Sequence, residues 1–403
     1  MDFEFAAALY YNYFQYKENS LSRRWIKHSD ISPLIHKLNN HIFTVSKQGD
    51  SFSGKEIKLI TAGRGKKKIF MWSQMHGDES TATMAIFDIF NFLSREDGFN
   101  SVREKFFKNS TLYFLPMVNP DGAEYFRRGN YLDIDINRDA IRMQTPEGRI
   151  LRDTFDSIKA DFGFNLHDQN VRYTAGESYK TATISFLAPL FDNKGSIDDT
   201  RGNAIKMISG LTRILNKYIP GHIGKYTEEH EPRSFGDKFQ GLGTSTILIE
   251  SGGWANDKEK QFARKLNFML LLSSINDIID DGYKKESYRI YDNLPYNKES
   301  LYDLILRNMK INYMNNESLV DIGVNNYEII DVNSGEIIIT PTIEEIGDLS
   351  GRCGSDEFDL NDYEVEPAGK SVKIGDVLNL QIKKDGQLRF KIENGAIIKL
   401  SLN

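Results

Sequence analysis

Three short apolar runs in this chain each lead into a side chain able to bind a metal or move a proton. Lys68 to Ser73 leads to His76, Phe162 to Leu166 leads to His167, and Ser245 to Ile249 leads to Glu250. Continuous apolar runs of this length mark strands covered on both faces. Helical patterns stand between them. After His76, the apolar positions Met84, Phe87, Phe90 and Leu93 form a stripe behind the acidic Asp78 and Glu79, where a helix N-terminus favours negative charge. Further helices are expected over the first 35 or so residues and at about 146–160, 198–218 and 257–279. Further strands are expected at 41–45, 56–61, 112–118 and 183–187. Strands alternating with helices predict an α/β fold: a mixed, mostly parallel twisted sheet with helices on both faces. In such sheets ligands gather beyond the carboxyl ends of strands, where His76, His167 and Glu250 fall.

At 403 residues the chain exceeds the ~250 to 300 residues over which one hydrophobic core grows. Two domains are expected: residues 1–284, N-terminal helices included, and a small, mainly β domain at 285–403. In the second, Ser300 to Met309 reads as a short helix, followed by β-type runs at 329–330, 336–340, 377–382 and 388–392. The pairs Asp385-Gly386 and Asn394-Gly395 divide the last runs as two-residue hairpin turns do. Hydrophobic residues at 40% and charged residues at 27% are the balance of a soluble globular protein. The net charge of -6, with Lys and Arg dispersed apart from Lys66 to Lys68, argues against a nucleic-acid or anionic-membrane surface. A single cysteine, Cys353, excludes an intrachain disulfide and a cysteine-rich metal site. The first residues are acidic where a secretory signal would be basic, and no long uncharged apolar run follows. A cytoplasmic protein with no nucleic-acid or membrane partner is the expectation.

Metal-assisted amide hydrolysis needs three protein ligands and an open position. His76, Glu79 and His167 supply two imidazoles and one carboxylate, the first two across a strand-to-helix turn and the third from a distant strand. One Zn2+ per chain is expected, although other divalent ions suit these donors nearly as well. Alone, His-x-x-Glu is a weak signal, since a partly buried histidine beside a helix-start glutamate is common. Asn119 to Gly122 is by itself a turn, and Arg138 by itself a surface arginine. In conjunction they are specific, because Asn137 and Arg138 together present an amide and a guanidinium fork that can read a free carboxylate.

Over roughly residues 40 to 280 the motifs resemble the zinc carboxypeptidase (metallocarboxypeptidase, funnelin) family. The resemblance rests on Gly49 to Ile57, with Lys55 where arginine is usual; on His76 and Glu79; on Asn119 to Gly122; on Arg128, Asn130, Asp135, Asn137 and Arg138; and on His167 and Glu250. It implies that His76, Glu79 and His167 hold the zinc and that Glu250 is general base and then general acid. It also implies that Arg128 stabilises the oxyanion and that Asn137 and Arg138, with Arg128, bind substrate. That substrate is a peptide or peptide-like molecule with a free C-terminal carboxylate. Arg127 competes for the role of Arg128. Asp139 stands where many relatives carry Asn, and Asp133 where Gly is usual, so a different loop shape is expected. Asp168 and Gln169 either orient His167 or are loop residues. Tyr226 lies in the region of the family's capping tyrosine, and Arg233 or Asp237 could line the side-chain pocket with opposite preferences. His222 and His230 fall in a polar loop, and His28, His36 and His41 are expected to be structural. A zinc deacylase of N-acyl amino acids and a catalytically silent peptide-binding module are the alternatives.

Overall fold

Successive side chains of the strand Lys67–Ser73 point to opposite faces, and each face meets its own core. The computed structural model describes residues 1–38, 41–313, 316–331, 334, 336–367, 372–393 and 396–399. In chain order the strands are β1 (Phe43–Asp50), β2 (Glu56–Gly63), β3 (Lys67–Ser73), β4 (Ser110–Leu115), β5 (Phe162–Asp168), β6 (Tyr173–Ala175), β7 (Ile184–Leu187), β8 (Ile223–Lys225), β9 (Ser245–Ser251) and β10 (Asn297–Glu299). The helices are α1 (Phe3–Asn12), α2 (His28–Lys37), α3 (Thr81–Ser94), α4 (Asn100–Asn109), α5 (Pro120–Glu124), α6 (Pro146–Ile158), α7 (Asp199–Leu215), α8 (Phe235–Gly241), α9 (Gln261–Ile279) and α10 (Tyr288–Asp292). One sheet runs β1-β2-β4-β3-β5-β9-β7-β8, and β6 and β10 form a separate ribbon. The central strands β4, β3, β5 and β9 are parallel. β1 and β2 extend the sheet antiparallel, and β7 runs antiparallel to β9.

Ile69 and Met71 of β3, Phe162, Phe164 and Leu166 of β5, and Ile247 and Ile249 of β9 join residues of α1, α3, α7 and α9 in the larger core. Phe70 and Trp72 of β3 meet Phe155 of α6 and Phe239 of α8 in the smaller one. Each such burial contributes about 1.5 to 3 kcal/mol. Because strand side chains alternate, Asn165 and His167 on β5, and Leu248 and Glu250 on β9, face the side of the smaller core. The helix α6 begins where its sequence says it should: Thr145 caps it by accepting the Gly148 N–H at 3.0 Å, and Pro146 fills the first turn.

The chain divides between Lys298 and Glu299, later than the change of texture near 285. Residues up to 298 are tied into the first unit: Tyr291 donates to Glu228 at 2.8 Å, and the Asn297 amide donates to Gln169 at 2.6 Å. In the second unit β11 (Leu301–Tyr313), β12 (Asn316–Asp331), β13 (Glu336–Gly347) and β14 (Cys353–Asp359) form a sheet in the order β13-β12-β11-β14. A second sheet follows chain order through β15 (Glu364–Pro367), β16 (Leu380–Lys384), β17 (Gln387–Glu393) and β18 (Ala396–Lys399). The helix expected over 300–309 is therefore a strand. A bulge between Leu306 and Met309, with Asn308 at φ +54°, leaves both apolar side chains fully buried three residues apart and so imitates a helical stripe. Asp385 and Gly386 form the expected tight turn, both left-handed at φ +53° and +70°, with Lys384 opposite Gln387. The turn at Asn394-Gly395 lies outside the described residues. Among the described residues no helix is long and apolar enough to cross a membrane.

Candidate metal centre

Between β3 and α3 the chain makes a close turn against α5. A Cβ on Gly77 would lie 2.0 Å from the Gly122 carbonyl carbon, so only glycine fits. This approach brings the two nearby polar residues together: His76 Nδ1 is 2.7 Å from Glu79 Oε1. His167, from the end of β5, puts its Nδ1 2.7 Å from Glu79 Oε2 and 3.2 Å from His76 Nδ1. All three residues are buried, and their ligand atoms lie within 4.8 Å of one another. The nitrogen separation matches the edge, about 3.3 Å, of a tetrahedron with zinc–nitrogen bonds of about 2.0 to 2.1 Å. The cluster also attracts positive charge. Burial pulls the His76 imidazole down, but the charge of Glu79 and the hydrogen bonds the ring donates to Asp135 and Glu79 outweigh it and raise His76 to about 9, whereas at His167 burial prevails and lowers the imidazole. Two nitrogens and a carboxylate converging in a buried, anionic pocket fit Zn2+.

A second ring of residues fixes these ligands. The His76 Nε2 lies 3.1 Å from Asp135 Oδ1, and Asp135 Oδ2 accepts Arg128 Nε and Nη2 at 3.1 and 3.0 Å. Burial opposes ionisation of Asp135, but His76 and Arg128 outweigh it and hold the carboxyl well below the usual range. Arg128 Nη1 stands 3.4 Å from Glu79 Oε1, so the guanidinium borders the ligand atoms. Arg127 is engaged elsewhere, donating to the carbonyls of Asn130 and Tyr131 at 2.8 and 2.7 Å. Asp135 orients the His76 ring, a role that its place two residues before Asn137 signals only in retrospect. Asp168 does not orient His167, whose Nε2 is buried without a hydrogen-bond partner among the described residues. Its backbone N–H instead donates to Glu79 Oε2 at 3.2 Å, while its carboxylate accepts the Thr81 hydroxyl at 2.6 Å and pairs with the buried Lys260 at 3.4 Å. Nothing in the sequence pattern singles out Lys260.

The upstream motif and the turn motif are two halves of one brace. Fully buried Asp121 accepts Ser51 Oγ at 3.0 Å, Ser53 N at 2.9 Å and the Ser53 hydroxyl, and pairs with Lys55 at 3.4 Å. Asn119 caps α5 through the Gly122 N–H at 2.8 Å and donates to the carbonyls of Arg128 and Gly129, each at 3.2 Å. Separated motifs thereby fix the loop that carries Arg128. The departures have local reasons. Asp139 accepts Gln144 N, Thr145 N and Thr145 Oγ1 at 2.7 to 2.8 Å, a set of donors suited to a carboxylate. Asp133 adopts φ +62°, a conformation glycine takes freely and aspartate tolerates, so the backbone there keeps a shape open to glycine.

Glu250 stands opposite His167 in the β5–β9 pairing. Its carboxylate is buried and makes no hydrogen bond among the described residues; burial, and then the charge of Glu79, push it well above the usual range. Tyr226, just past β8, feels the same group: the charge of Glu250, ahead of burial, raises its phenol. Asn137 Oδ1 accepts the Phe235 N–H at 3.0 Å, and exposed Arg138 lies 3.4 Å from Glu231. Arg233 turns outward and grips Glu231 through two bonds of 2.9 and 2.6 Å. Asp237 is buried, accepts the Glu231 N–H at 2.6 Å and is raised by burial to about 7. His222 and His230 lie apart from the cluster, bound to Thr181 O at 2.8 Å and Asn193 Oδ1 at 2.9 Å.

Fold and site together resemble those of zinc carboxypeptidases. The zinc carboxypeptidase family model matches residues 33–181, a span that contains His76, Glu79, Arg128, Asn137, Arg138 and His167. Carboxypeptidase 2 of Trichophyton tonsurans is 23% identical over 186 residues, covering 46% of this chain and 32% of that protein. Carboxypeptidase 2 of Trichophyton rubrum is 24% identical over 166 residues, covering 40% and 28%. The matches thus span about a third of the length of these relatives. A metallo-carboxypeptidase from Burkholderia cenocepacia has a similar fold, with a TM-score of 0.52 at 16% identity over 63% of this chain and 69% of that one. Carboxypeptidase A from Helicoverpa armigera does also, with a TM-score of 0.51 at 13% identity over 64% and 75%. The resemblance read from the sequence is the one these comparisons return.

Proposed function

We propose that this chain is a zinc-dependent metallocarboxypeptidase that hydrolyses the C-terminal amide bond of a peptide or peptide-like substrate. One observation carries the reading: His76, Glu79 and His167 converge on one point while Glu250, a buried carboxylate without a hydrogen bond among the described residues, stands in register beside His167. His76, Glu79 and His167 would hold the zinc, which when bound would supply Lewis acidity for the water and the scissile carbonyl. Glu250 would take the proton from the attacking water and return it to the leaving amine. Arg128, fixed on Asp135 by two bonds, faces the ligand atoms and neutralises the oxyanion. Asn137 and Arg138 receive the terminal carboxylate, for which Arg138 exchanges its loose contact with Glu231. Of the two residues able to read the substrate's C-terminal side chain, Asp237 is the inward one. The brace from Asp121 to the Arg128 loop favours a peptide over an N-acyl amino acid, whose deacylation would make less use of that segment.

The test is metal content of the wild type and Glu250→Gln, together with release of free amino acids from a peptide library. One zinc per chain in both, with release by the wild type alone, is expected. Zinc without release by either protein would favour a binding module, and cleavage of N-acyl amino acids alone a deacylase.

A further inference from the structure

Two loops beside the metal centre meet in an exposed aromatic stack. Phe52 and Tyr131 lie with ring centroids 5.4 Å apart and planes at 18°, both about half exposed. Leu132 and Ile134 are exposed beside Tyr131 at 54% and 40%. Single exposed apolar residues need no explanation, but a contiguous group marks a surface that contacts something.

The scaffold beneath is unusually well built for a surface loop. Asn130, fully buried, accepts the N–H groups of Leu132 and Ile134 at 3.0 and 3.1 Å, and its own N–H donates to Ile134 O at 2.9 Å. Arg127 holds the carbonyls of Asn130 and Tyr131 from outside. One buried carboxylate then joins the two loops: Glu147 accepts Phe52 N at 2.9 Å and Asn130 Nδ2 at 3.2 Å. Both ends of the second loop, Arg128 and Asp135, bind at the metal ligands. At about 3.5 Å per residue the tip stands at most about 10 to 14 Å from the backbone of Arg128 and Asp135, and the turn closed between Asn130 and Ile134 shortens that reach. An extended peptide leaving the site along this loop runs toward the tip.

We propose that Phe52, Tyr131, Leu132 and Ile134 form a docking platform for the part of a peptide substrate upstream of the scissile bond, and that it selects apolar side chains there. The inference rests on the carboxypeptidase reading, and its occupant is fixed by continuity with that site through the loop from Arg128 to Asp135.

The test compares kcat/KM for a blocked dipeptide and a blocked pentapeptide with the same C-terminal residue, the longer carrying leucine and phenylalanine upstream. In Phe52→Ala/Tyr131→Ala the ratio of longer to shorter is expected to fall about ten-fold, chiefly through KM. The ratio for a glycine-rich pentapeptide should move much less, and Tyr11→Ala, at an exposed tyrosine elsewhere, should leave all ratios alone. Thermal unfolding of the variants verifies that they are folded. An unchanged ratio, or an equal fall for the glycine-rich peptide, overturns the proposal, as does loss of self-association in the variant with the ratio unaltered, which would assign the platform to a second copy. If the wild type cleaves neither peptide, the carboxypeptidase reading fails separately. Calorimetric binding of the pentapeptide to zinc-loaded protein then decides: weaker binding by the double variant supports the platform, and equal or absent binding overturns it.

Discussion

Two of the buried groups of charged side chains in the first unit are built on opposite plans. At Asp88 and Arg264, both wholly inaccessible, every charge is answered. The carboxylate takes Arg264 through two bonds, Tyr13 OH at 3.0 Å and Glu18 N at 2.7 Å, while the guanidinium also donates to the carbonyls of Leu21 and Glu18. At the candidate metal centre Asp78, Glu79, Asp135, Asp168 and Glu250 gather with Arg128 and Lys260 as fixed cations beside them, and among the described residues Asp78 Oδ1, Asp168 Oδ1 and His167 Nε2 have no hydrogen-bond partner. A satisfied buried network fastens the N-terminal segment to α3 and α9. An unsatisfied one costs stability and persists where a cation and substrate complete it.

The sharpest way to break this contrast is to neutralise Glu250. Glu250→Gln is expected to lower kcat by about 10² to 10⁴-fold with the unfolding midpoint unchanged or higher; a variant that keeps wild-type kcat would remove Glu250 from the proton path. The reverse pattern is expected at the satisfied network. Asp88→Ala leaves a buried guanidinium unpaired and should cost about 3 to 5 kcal/mol in denaturant unfolding while the folded protein still binds one zinc; a loss under about 1 kcal/mol would mean that the network carries little. Asp135→Ala, which strips His76 of its orienting carboxylate, should weaken zinc affinity about 10 to 100-fold in a chelator competition. Unaltered affinity would show that Arg128 and the loop alone hold the imidazole.

The smallest effect concerns Asp237. Its folded value of about 7 lies above an unfolded value near about 3.9, so its ionisation lowers stability increasingly between those pH values and fully above them. Asp237→Asn should therefore gain thermal stability relative to the wild type as pH rises from 4 to 8 and show little advantage at pH 4 itself. Parallel melting curves across that range would contradict the burial of this charge.

Much of the first unit is legible in local pattern. The apolar runs ending near His76, His167 and Glu250 are strands β3, β5 and β9, and the stripe through Met84 and Phe90 is α3, because burial on two faces or along one stripe leaves its period in the sequence. The helices α4 and α8 are too short or too polar to announce themselves. The run from Leu301 to Met309 misleads, because its spacing of apolar residues comes from a bulge whose partner strands lie elsewhere in the chain.

Residue types and their order determined by themselves which side chains could ligate a metal, which carboxylate could act beside it and which strands would deliver them, since ligand chemistry and side-chain period are local properties. The tertiary structure alone decided between near-equivalent neighbours: Arg128 rather than Arg127 at the ligands, Asp237 rather than Arg233 inside, Asp135 rather than Asp168 behind a histidine. Each of those choices depends on which way a side chain points, and that direction is set by contacts that residue types do not announce, some close in the chain, such as Asn119 beneath Arg128 and Glu231 between Arg233 and Asp237, and some distant, such as His76 against Asp135.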